Sequence, residues 1–415
     1  MIRAAVLLSA ETPAASSLVG GLPLLTRHML ELHRLGITDF YLAGVSEVPP
    51  AVEHHRMPKT IKVHTIPVWP ERGIPQEIHA LLAMDYSVLV LRSQWLIDPR
   101  LFAALLFTSS ARCLLSPMAA HEAVPVAALL TSHQGVMWER GDIEQCMRSS
   151  PPLDLTQLDS YSPANRGPIP FYLQPVLTRG DAVRATKLLI AAASKQTLDI
   201  VASLLDKLLV NRLVLWLCST RVTPNQVTLS TAVIGALVAW LFVHDWWRVG
   251  SLLVYVAVTL DGVDGKLART TLLLSRLGEL EHVLDFFMEQ AWYLTLTLAL
   301  VHRSGQQALW WAGGGLMVCD LLVKVLYGVG QRLFGKHLEE LGAFDRWFRR
   351  VGGRRNLYMA ILCIGLWTGV SPQALVVTLG YALGTLLVHT IQIAYHARQR
   401  PAITPHARRI QKIVG

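Results

Sequence analysis

The chain of 415 residues carries 38 Lys and Arg against 29 Asp and Glu, a net charge of +9, yet only 16% of its residues are charged and 52% are hydrophobic. Its mean hydropathy is +0.38, and its positive charge gathers in short segments beside long apolar runs. This is the pattern of membrane topology signals, without the interleaved basic and aromatic residues of a nucleic-acid groove. Cys113, Cys146, Cys218, Cys319 and Cys363 are odd in number and scattered with no Cys-x-x-Cys pair, which argues against a disulfide framework or a zinc site.

Residues 1–180 alternate short apolar runs with helical patterns. Ala4–Leu8, Asp39–Ala43, Lys62–Ile66 and residues 87–91 read as strands, and 28–35 and 76–84 as helices between them. Alternating units of this kind predict an α/β domain with a mostly parallel, helix-covered sheet. The apolar core of the N-terminus is too short for a signal peptide and reads as the first strand. The Pro-, Ser-, Asp- and Asn-rich stretch 149–170 reads as a surface loop. Residues 181–222 form a juxtamembrane amphipathic region, either lying on a bilayer surface or packed on the soluble domain.

Six apolar spans follow, at 225–243, 248–263, 277–301, 307–328, 356–370 and 373–396, within a helical domain covering 223–397. Connectors 244–248, 302–306 and 370–373 offer only Arg248 and Arg303, while 329–355 holds seven Lys and Arg and the basic tail, 398–415, adds more. The positive-inside rule therefore puts the first domain, the long connector and the tail in the cytoplasm. An even number of spans agrees with that arrangement.

At the cytoplasmic ends of the second and third spans stand four carboxylates. Asp261 and Asp264 are three apart and Glu281 and Asp285 four apart, so each pair shares a helical face. Carboxylates are costly beside hydrocarbon, which makes such a cluster a functional-site expectation. A set of hard oxygen donors suits Mg²⁺ or Mn²⁺. A Gly-Ala-Arg loop, Gly265 to Arg269, is expected between the pairs. Asp320 and Lys324 are spaced for an intramembrane ion pair, and Glu289 and His389 read as interior polar contacts. No inverted repeat or pair of broken helices points to a transporter.

Asp261-x-x-Asp264-Gly265-x-x-Ala268-Arg269, with Gly278 eight residues further on, resembles the signature of the CDP-alcohol phosphotransferases. The resemblance implies two divalent cations, Mg²⁺ or Mn²⁺, held by Asp261, Asp264, Glu281 and Asp285. It implies a CDP-alcohol donor, with Asp285 as base on the acceptor hydroxyl, CMP as leaving group, and a homodimer. Asp261, Gly265, Ala268 and Arg269 would border the CDP. One departure stands out: the family's second pair falls four and eight residues after the glycine, here His282 and Phe286, whereas Glu281 and Asp285 fall at three and seven. A one-residue deletion before the third span, or a shift of Gly278, accounts for it equally. His282 then reads as a helix-surface residue.

Two further elements accompany the motif. Thr223-Pro224-Asn225-Gln226 reads as a helix start with Thr223 as N-cap, and by the resemblance Asn225 also contacts cytidine. Gly352-Gly353-Arg354-Arg355 at another helix start presents Arg354 and Arg355 to an acceptor phosphate, with Lys207 and Arg212 behind them, or serves only as a positive-inside anchor.

In the first half, Val19-Gly20-Gly21-Leu22-Pro23-Leu24-Leu25 and Gly36-Ile37 look like a sugar-phosphate nucleotidyltransferase. The combination resembles the bifunctional inositol-1-phosphate cytidylyltransferase/di-myo-inositol-phosphate phosphate synthase proteins. Yet the glycine-rich loop after the first strand is Ser9-Ala-Glu-Thr-Pro, the expected lysine is Leu22, and Arg92-Ser93-Gln94 stands where a metal-binding aspartate belongs. The domain thus reads as a degenerate nucleotidyltransferase. The expectation is a multi-pass inner (plasma) membrane enzyme with its active site facing the cytoplasm. It would move a phosphoalcohol from a CDP-inositol or CDP-diacylglycerol type donor to an alcohol, inositol phosphate or lipid acceptor, in phospholipid or inositol-phosphate synthesis. The alternative is a catalytically inactive scaffold that binds nucleotide or a partner enzyme.

Overall fold

A computed structural model of the chain describes residues 4–8, 17–48, 57–67, 75–84, 86–107, 112–116, 123–140, 142–273 and 277–399. Residues 9–16, where the glycine-rich loop was sought, and 400–415 of the basic tail lie outside these. The chain divides into two compact units. One comprises Met1–Ser194, Val214–Arg221 and Lys266–Leu273; the other comprises Lys195–Leu213, Val222–Gly265 and Leu274–Gly415.

The first unit is built on six strands: β1 (Ala4–Leu8), β2 (Asp39–Ala43), β3 (Lys62–Ile66), β4 (Val88–Arg92), β5 (Arg112–Leu115) and β6 (Pro125–Leu130). Their order is β3-β2-β1-β4-β6-β5. β1 pairs in parallel with β2 and β4, and β2 with β3, while β6 runs antiparallel to β4 and β5. β4 shows why a nearly continuous apolar run becomes a strand covered on both faces. Its Leu89 and Leu91 join the core under helix Leu24–Arg34, and Val88 and Val90 join the opposite cluster around Ile78 and Trp138. The sheet is that of the expected α/β domain, with β4 one residue later than its sequence pattern suggested.

Two expectations for this unit change. The helix expected at 28–35 begins at Leu24, directly after Pro23, whose fixed φ suits a helix start. The loop expected at 149–170 contains a short hairpin, Tyr161–Ser162 with Gly167–Pro168, after a turn capped by Asp154. Helix Arg179–Ala192 opens on a Thr178–Asp181 capping box and buries Ala182, Ala185 and Leu189 against Val19, Leu24 and Val176. Of the two readings of the amphipathic region, packing on the first unit therefore holds for this helix. The next segment exposes Ile200, Leu204 and Leu208 at a spacing of four.

The second unit is helical, with α1 (Pro224–Val243), α2 (Trp247–Thr271, to Gly265 in this unit), α3 (Leu277–Ser304), α4 (Ala308–Phe334), α5 (Arg355–Thr368) and α6 (Ser371–Gln399). α1, α4 and α6 are long and apolar enough to cross a membrane. Val238, Val254, Trp292, Leu316, Leu362 and Leu375 contribute to one buried core. Small residues set the close approaches: a Cβ on Gly313 would lie 2.1 Å from Thr297 Oγ1, and one on Gly365 2.2 Å from Ala374 Cβ.

Candidate active site

The signature segment is helix, not loop. α2 continues through Gly265 and Ala268 to Thr271 and ends where Leu272 takes a φ of 57°. Lys266, Leu267, Ala268 and Arg269 are all good helix formers, so the helix outlasts the apolar span that starts it. Asp261 and Asp264 thus lie one turn apart on a regular helix. α1 begins at the expected cap: Thr223 and Gln226 form a capping box with Pro224 in the first turn. Asn225 is exposed on that turn.

Asp264 is 2% exposed and held from two sides. Its Oδ2 accepts from Thr228 Oγ1 of α1 at 2.8 Å, and its Oδ1 from the Gly265 amide at 2.5 Å. Asp261 is ion-paired with Nη2 of Arg355. The same guanidinium lies 3.9 Å from Asp285 and 3.3 Å from Glu289, through Nη1. Carboxylates from α2 and α3 therefore share one cation from the start of α5. Arg355 was expected at an acceptor phosphate; it stands instead among the acidic residues, which supply the counter-charge a mostly buried guanidinium needs.

Glu289 continues the network. It pairs with Lys324, which also bonds Asp320 at 2.8 Å, and Gln290 donates to Asp320 at 2.8 Å. The Asp320–Lys324 pair is thus present but belongs to a larger set. Sequence reasoning left Glu289 and Thr228 out of the site. Glu289 had a signal, since it falls four residues after Asp285 and so on the same helical face. Thr228 ends the segment beginning at Thr223 that resembles a family element near the nucleotide, but its bond to Asp264 depends on how closely α1 approaches α2.

The remaining expected residues are dispersed. The side chains of Glu281 and His282 lie outside the described residues. Ala268 and Arg269 fall in the first unit, where Arg269 Nε donates to the Ala193 carbonyl at 3.0 Å and Lys266 Nζ to Ser194 Oγ at 2.8 Å. Lys207 and Arg212 are exposed. Arg354 caps α5 after Gly353, whose amide donates to Thr385 Oγ1 at 2.8 Å and whose missing Cβ leaves room for the Tyr358 ring. Among the described residues no three of His, Cys, Asp and Glu converge as a metal-binding set. The chemistry of the site nonetheless suits hard cations: its donors are carboxylate oxygens, and a guanidinium already stands among them.

The unit that carries the acidic cluster also holds three helices long and apolar enough to cross a membrane, which suggests a membrane protein. The sequence model described as CDP-alcohol phosphatidyltransferase matches residues 221–384. The chain is 28% identical over 161 residues to the bifunctional IPC transferase and DIPP synthase of Archaeoglobus fulgidus, covering 38% of this chain and 32% of that one. It is 34% identical over 155 residues to the archaetidylinositol phosphate synthase of Aeropyrum pernix, covering 37% of this chain and 72% of the relative. This chain belongs to the CDP-alcohol phosphatidyltransferase family. It thus spans about a third of the length of the Archaeoglobus relative and most of the Aeropyrum one. A UDP-glucose pyrophosphorylase from Acinetobacter baumanii aligns over 45% of this chain and 93% of its own, at 10% identity and a TM-score of 0.29. So low a score leaves the nucleotidyltransferase reading of the first half resting on its sequence pattern.

Proposed function

We propose that this protein transfers a phosphoalcohol group from a CDP-alcohol to an acceptor hydroxyl, using Asp261, Asp264, Glu281 and Asp285 to hold two divalent cations, Mg²⁺ or Mn²⁺. The observation that carries the reading is the shared guanidinium: Asp261 and Asp285, 24 positions apart on different helices, both face Arg355. Such cations, when bound, would neutralise the diphosphate and stabilise the leaving phosphate. The chain's own groups do the rest. Asp285 accepts the proton of the acceptor hydroxyl; the new bond forms between that oxygen and the phosphorus attached to the alcohol, and the bond to CMP breaks. Thr228 fixes the rotamer of Asp264. Gly265, Ala268 and Arg269 line the path of the CDP, with Asn225 at cytidine. Arg355, beside the carboxylates in space, and its neighbour Arg354 would meet an acceptor phosphate, with Lys207 and Arg212 in an outer role.

The donor is of the CDP-inositol or CDP-diacylglycerol type and the acceptor an alcohol, inositol phosphate or lipid, in inositol-phosphate or phospholipid synthesis. The names of the two relatives, a bifunctional IPC transferase and DIPP synthase and an archaetidylinositol phosphate synthase, support this range. All six helices cross an inner (plasma) membrane, with the first unit and the active site cytoplasmic, and the protein acts as a homodimer. The first unit is a degenerate nucleotidyltransferase scaffold. Arg92, where a metal-binding aspartate was sought, bonds Glu144 at 2.5 Å, a structural use of that position.

The test is metal-dependent CMP release by the purified full-length protein in liposomes, with CDP-diacylglycerol and CDP-inositol as donors. Release that requires Mg²⁺ or Mn²⁺ and vanishes in Asp264→Ala supports the reading. Absence of release from either donor leaves the inactive scaffold as the function.

A further inference from the structure

Lys266–Leu273, which includes the C-terminal end of α2, belongs to the first unit, and that unit grips it from two of its helices. An α-helix leaves its last four carbonyls without a partner inside the helix. Here two side chains of helix Leu24–Arg34 supply partners. Arg27 Nη2 donates to the Thr270 carbonyl, and Arg34 Nη2 to the Leu272 carbonyl at 3.0 Å. The two arginines are seven residues apart and so share one helical face. Earlier in the segment, Lys266 Nζ bonds Ser194 Oγ at 2.8 Å and Arg269 Nε the Ala193 carbonyl at 3.0 Å, both just past helix Arg179–Ala192. Cations at this end also complement the negative pole of the helix dipole.

Arg27 is only 1% exposed. Its other bonds run to the Val19 carbonyl at 3.1 Å, the Gly20 carbonyl at 3.4 Å and Glu31 Oε1 at 3.4 Å. One guanidinium thus ties together the Gly20-Gly21 turn, its own helix and the end of α2. The turn itself comes as close. A Cβ on Gly20 would lie 2.8 Å from the Thr270 carbonyl oxygen, and the Gly20 amide is held by Thr186 Oγ1 at 3.0 Å. The nucleotidyltransferase-like segment therefore seats the last turn of α2. Water satisfies an exposed helix end at little cost, whereas burying a guanidinium is expensive, and apolar side chains of similar volume often stabilise as well or better. What a buried cation adds at such a place is one defined geometry.

We propose that Arg27 is a positioning residue for Asp261 and Asp264: it fixes the carbonyl end of α2, and the unbroken helix carries that constraint to the two carboxylates. Asp264 lies six residues before Thr270, about 9 Å along the axis. A packed helix of that length passes on a rotation or a shift as one rigid element. The first unit then has a task that needs no nucleotide chemistry. The kinetic consequence rests on the transfer proposed above; the structural one does not.

The test uses the full-length protein in liposomes, as Arg27→Met, Arg27→Lys, Arg34→Gln and Leu105→Ala. Leu105 is fully buried in the core of the first unit and controls for lost stability alone. Amide hydrogen exchange is read below the unfolding temperature in 261–265 and in 266–271. Arg27→Met should speed exchange at least tenfold in both stretches, Arg27→Lys less, and Leu105→Ala in neither. The Mg²⁺ concentration for half-maximal CMP release should rise at least fivefold in Arg27→Met and stay at the wild-type value in Leu105→Ala. Arg34→Gln, a change at an exposed residue, should move both readouts the same way by a smaller factor, and it carries the test if Arg27→Met does not fold. Faster exchange confined to 266–271, or matched by Leu105→Ala, overturns the inference and leaves the transferase reading in place. So does an unchanged Mg²⁺ dependence beside faster exchange at 261–265. Failure of the wild type to release CMP from any donor removes the transferase reading, and exchange at 261–265 then decides the inference alone.

Discussion

Charge neutralisation explains which side chains hold the acidic site together. Arg355 serves Asp261, Asp285 and Glu289, and Lys324 serves Glu289 and Asp320. Asp285→Asn removes one negative charge from a surplus and leaves Arg355 two partners. CMP release should fall about 10²- to 10⁴-fold, the usual worth of a general base, with thermal stability in detergent unchanged or raised. Arg355→Ala does the opposite: it strands Asp261 and Asp285 and leaves Glu289 only Lys324. It should destabilise the protein by about 3–5 kcal/mol, read from the same thermal scans, and Arg355→Lys should recover part of that loss. In the first unit, burial pushes the Glu31 carboxyl up from 4.5 to about 7 and the His28 imidazole down from 6.5 to about 4. Between about 4.5 and 7 the folded chain keeps a proton on Glu31 that the unfolded chain releases, so stability falls as pH rises. Between about 6.5 and 4 the unfolded chain charges His28 and the folded chain does not, so stability falls as pH drops. The two slopes oppose each other from about 4.5 to 6.5 and should leave the wild type nearly flat there. His28→Gln can keep the bond that His28 Nε2 makes to the Trp95 carbonyl at 2.8 Å. In that variant the Glu31 slope is left alone, and stability should decline by about 3 kcal/mol from pH 4.5 to 7. A flat profile in the variant would sink the assignment. The Asp261/Asp264 and Glu281/Asp285 spacings were read as helical faces in the sequence, and Glu289, four residues further on, was not joined to them. The bridging by Arg355 was not legible, because it joins residues 94 positions apart.

The elements are set by a few local devices, and the glycine pair at 20–21 is the sharpest. Leu18–Val19 and Leu22–Pro23 pair as a hairpin whose two turn residues have φ of 59° and 77°, the left-handed region that a tight turn of this hand requires. A Cβ on Gly21 would also meet the Cys218 carbonyl oxygen at 2.6 Å. Gly36 makes a useful control: its φ is 96°, but nothing lies within 4 Å of a Cβ built there. Gly36→Ala should lose only the backbone term, about 1–2 kcal/mol. Gly21→Ala should lose that and more, since a backbone carbonyl cannot rotate away as a side chain can. Equal shifts in unfolding temperature would show that the close approach to Cys218 is not rigid. The sequence marked Thr223-Pro224 as a helix start, because that is local chemistry, whereas Gly20-Gly21 stood out only as part of the nucleotidyltransferase-like segment. It placed a loop after Asp264 because the apolar span ends there, whereas helix formation by Lys266 to Arg269 does not depend on burial. Arg179–Ala192 shows the same limit from the other side. Its pattern is amphipathic either way, and only the packing of Ala182 and Leu189 on Val19 and Leu24 shows which surface it covers.

How the chain threads a bilayer turns on helix length. α4, with 27 residues, rises about 40 Å, and α1 and α6 are likewise long and apolar enough to cross. α2 and α3 are long but carry the acidic cluster, and α5, with 14 residues, rises only about 21 Å against a hydrocarbon core of about 30 Å. Six crossings and three crossings therefore both respect the sequence, and they differ at definite places. The basic connector favours the cytoplasmic side for residues after α4: Arg332, Lys336, Arg346 and Arg350 are exposed, while Arg349 is buried beside the Thr197 carbonyl, 3.2 Å from its Nε, and Arg355 is taken by the carboxylates. Both arrangements put Gln306 outside and Ala343 inside. They part at Val370, between α5 and α6, which is outside with six crossings and inside with three. Among the described residues all five native cysteines are buried, so single cysteines at exposed positions 306, 343 and 370 can be read against a quiet background. With six crossings, a membrane-impermeant maleimide should label Gln306→Cys and Val370→Cys in intact cells, and Ala343→Cys only in inverted vesicles. Labelling of Val370→Cys together with Ala343→Cys would mean that α5 does not cross. The short α5 would then be a re-entrant support that brings Arg355 to the acidic residues, and the count of membrane passes would have to be odd.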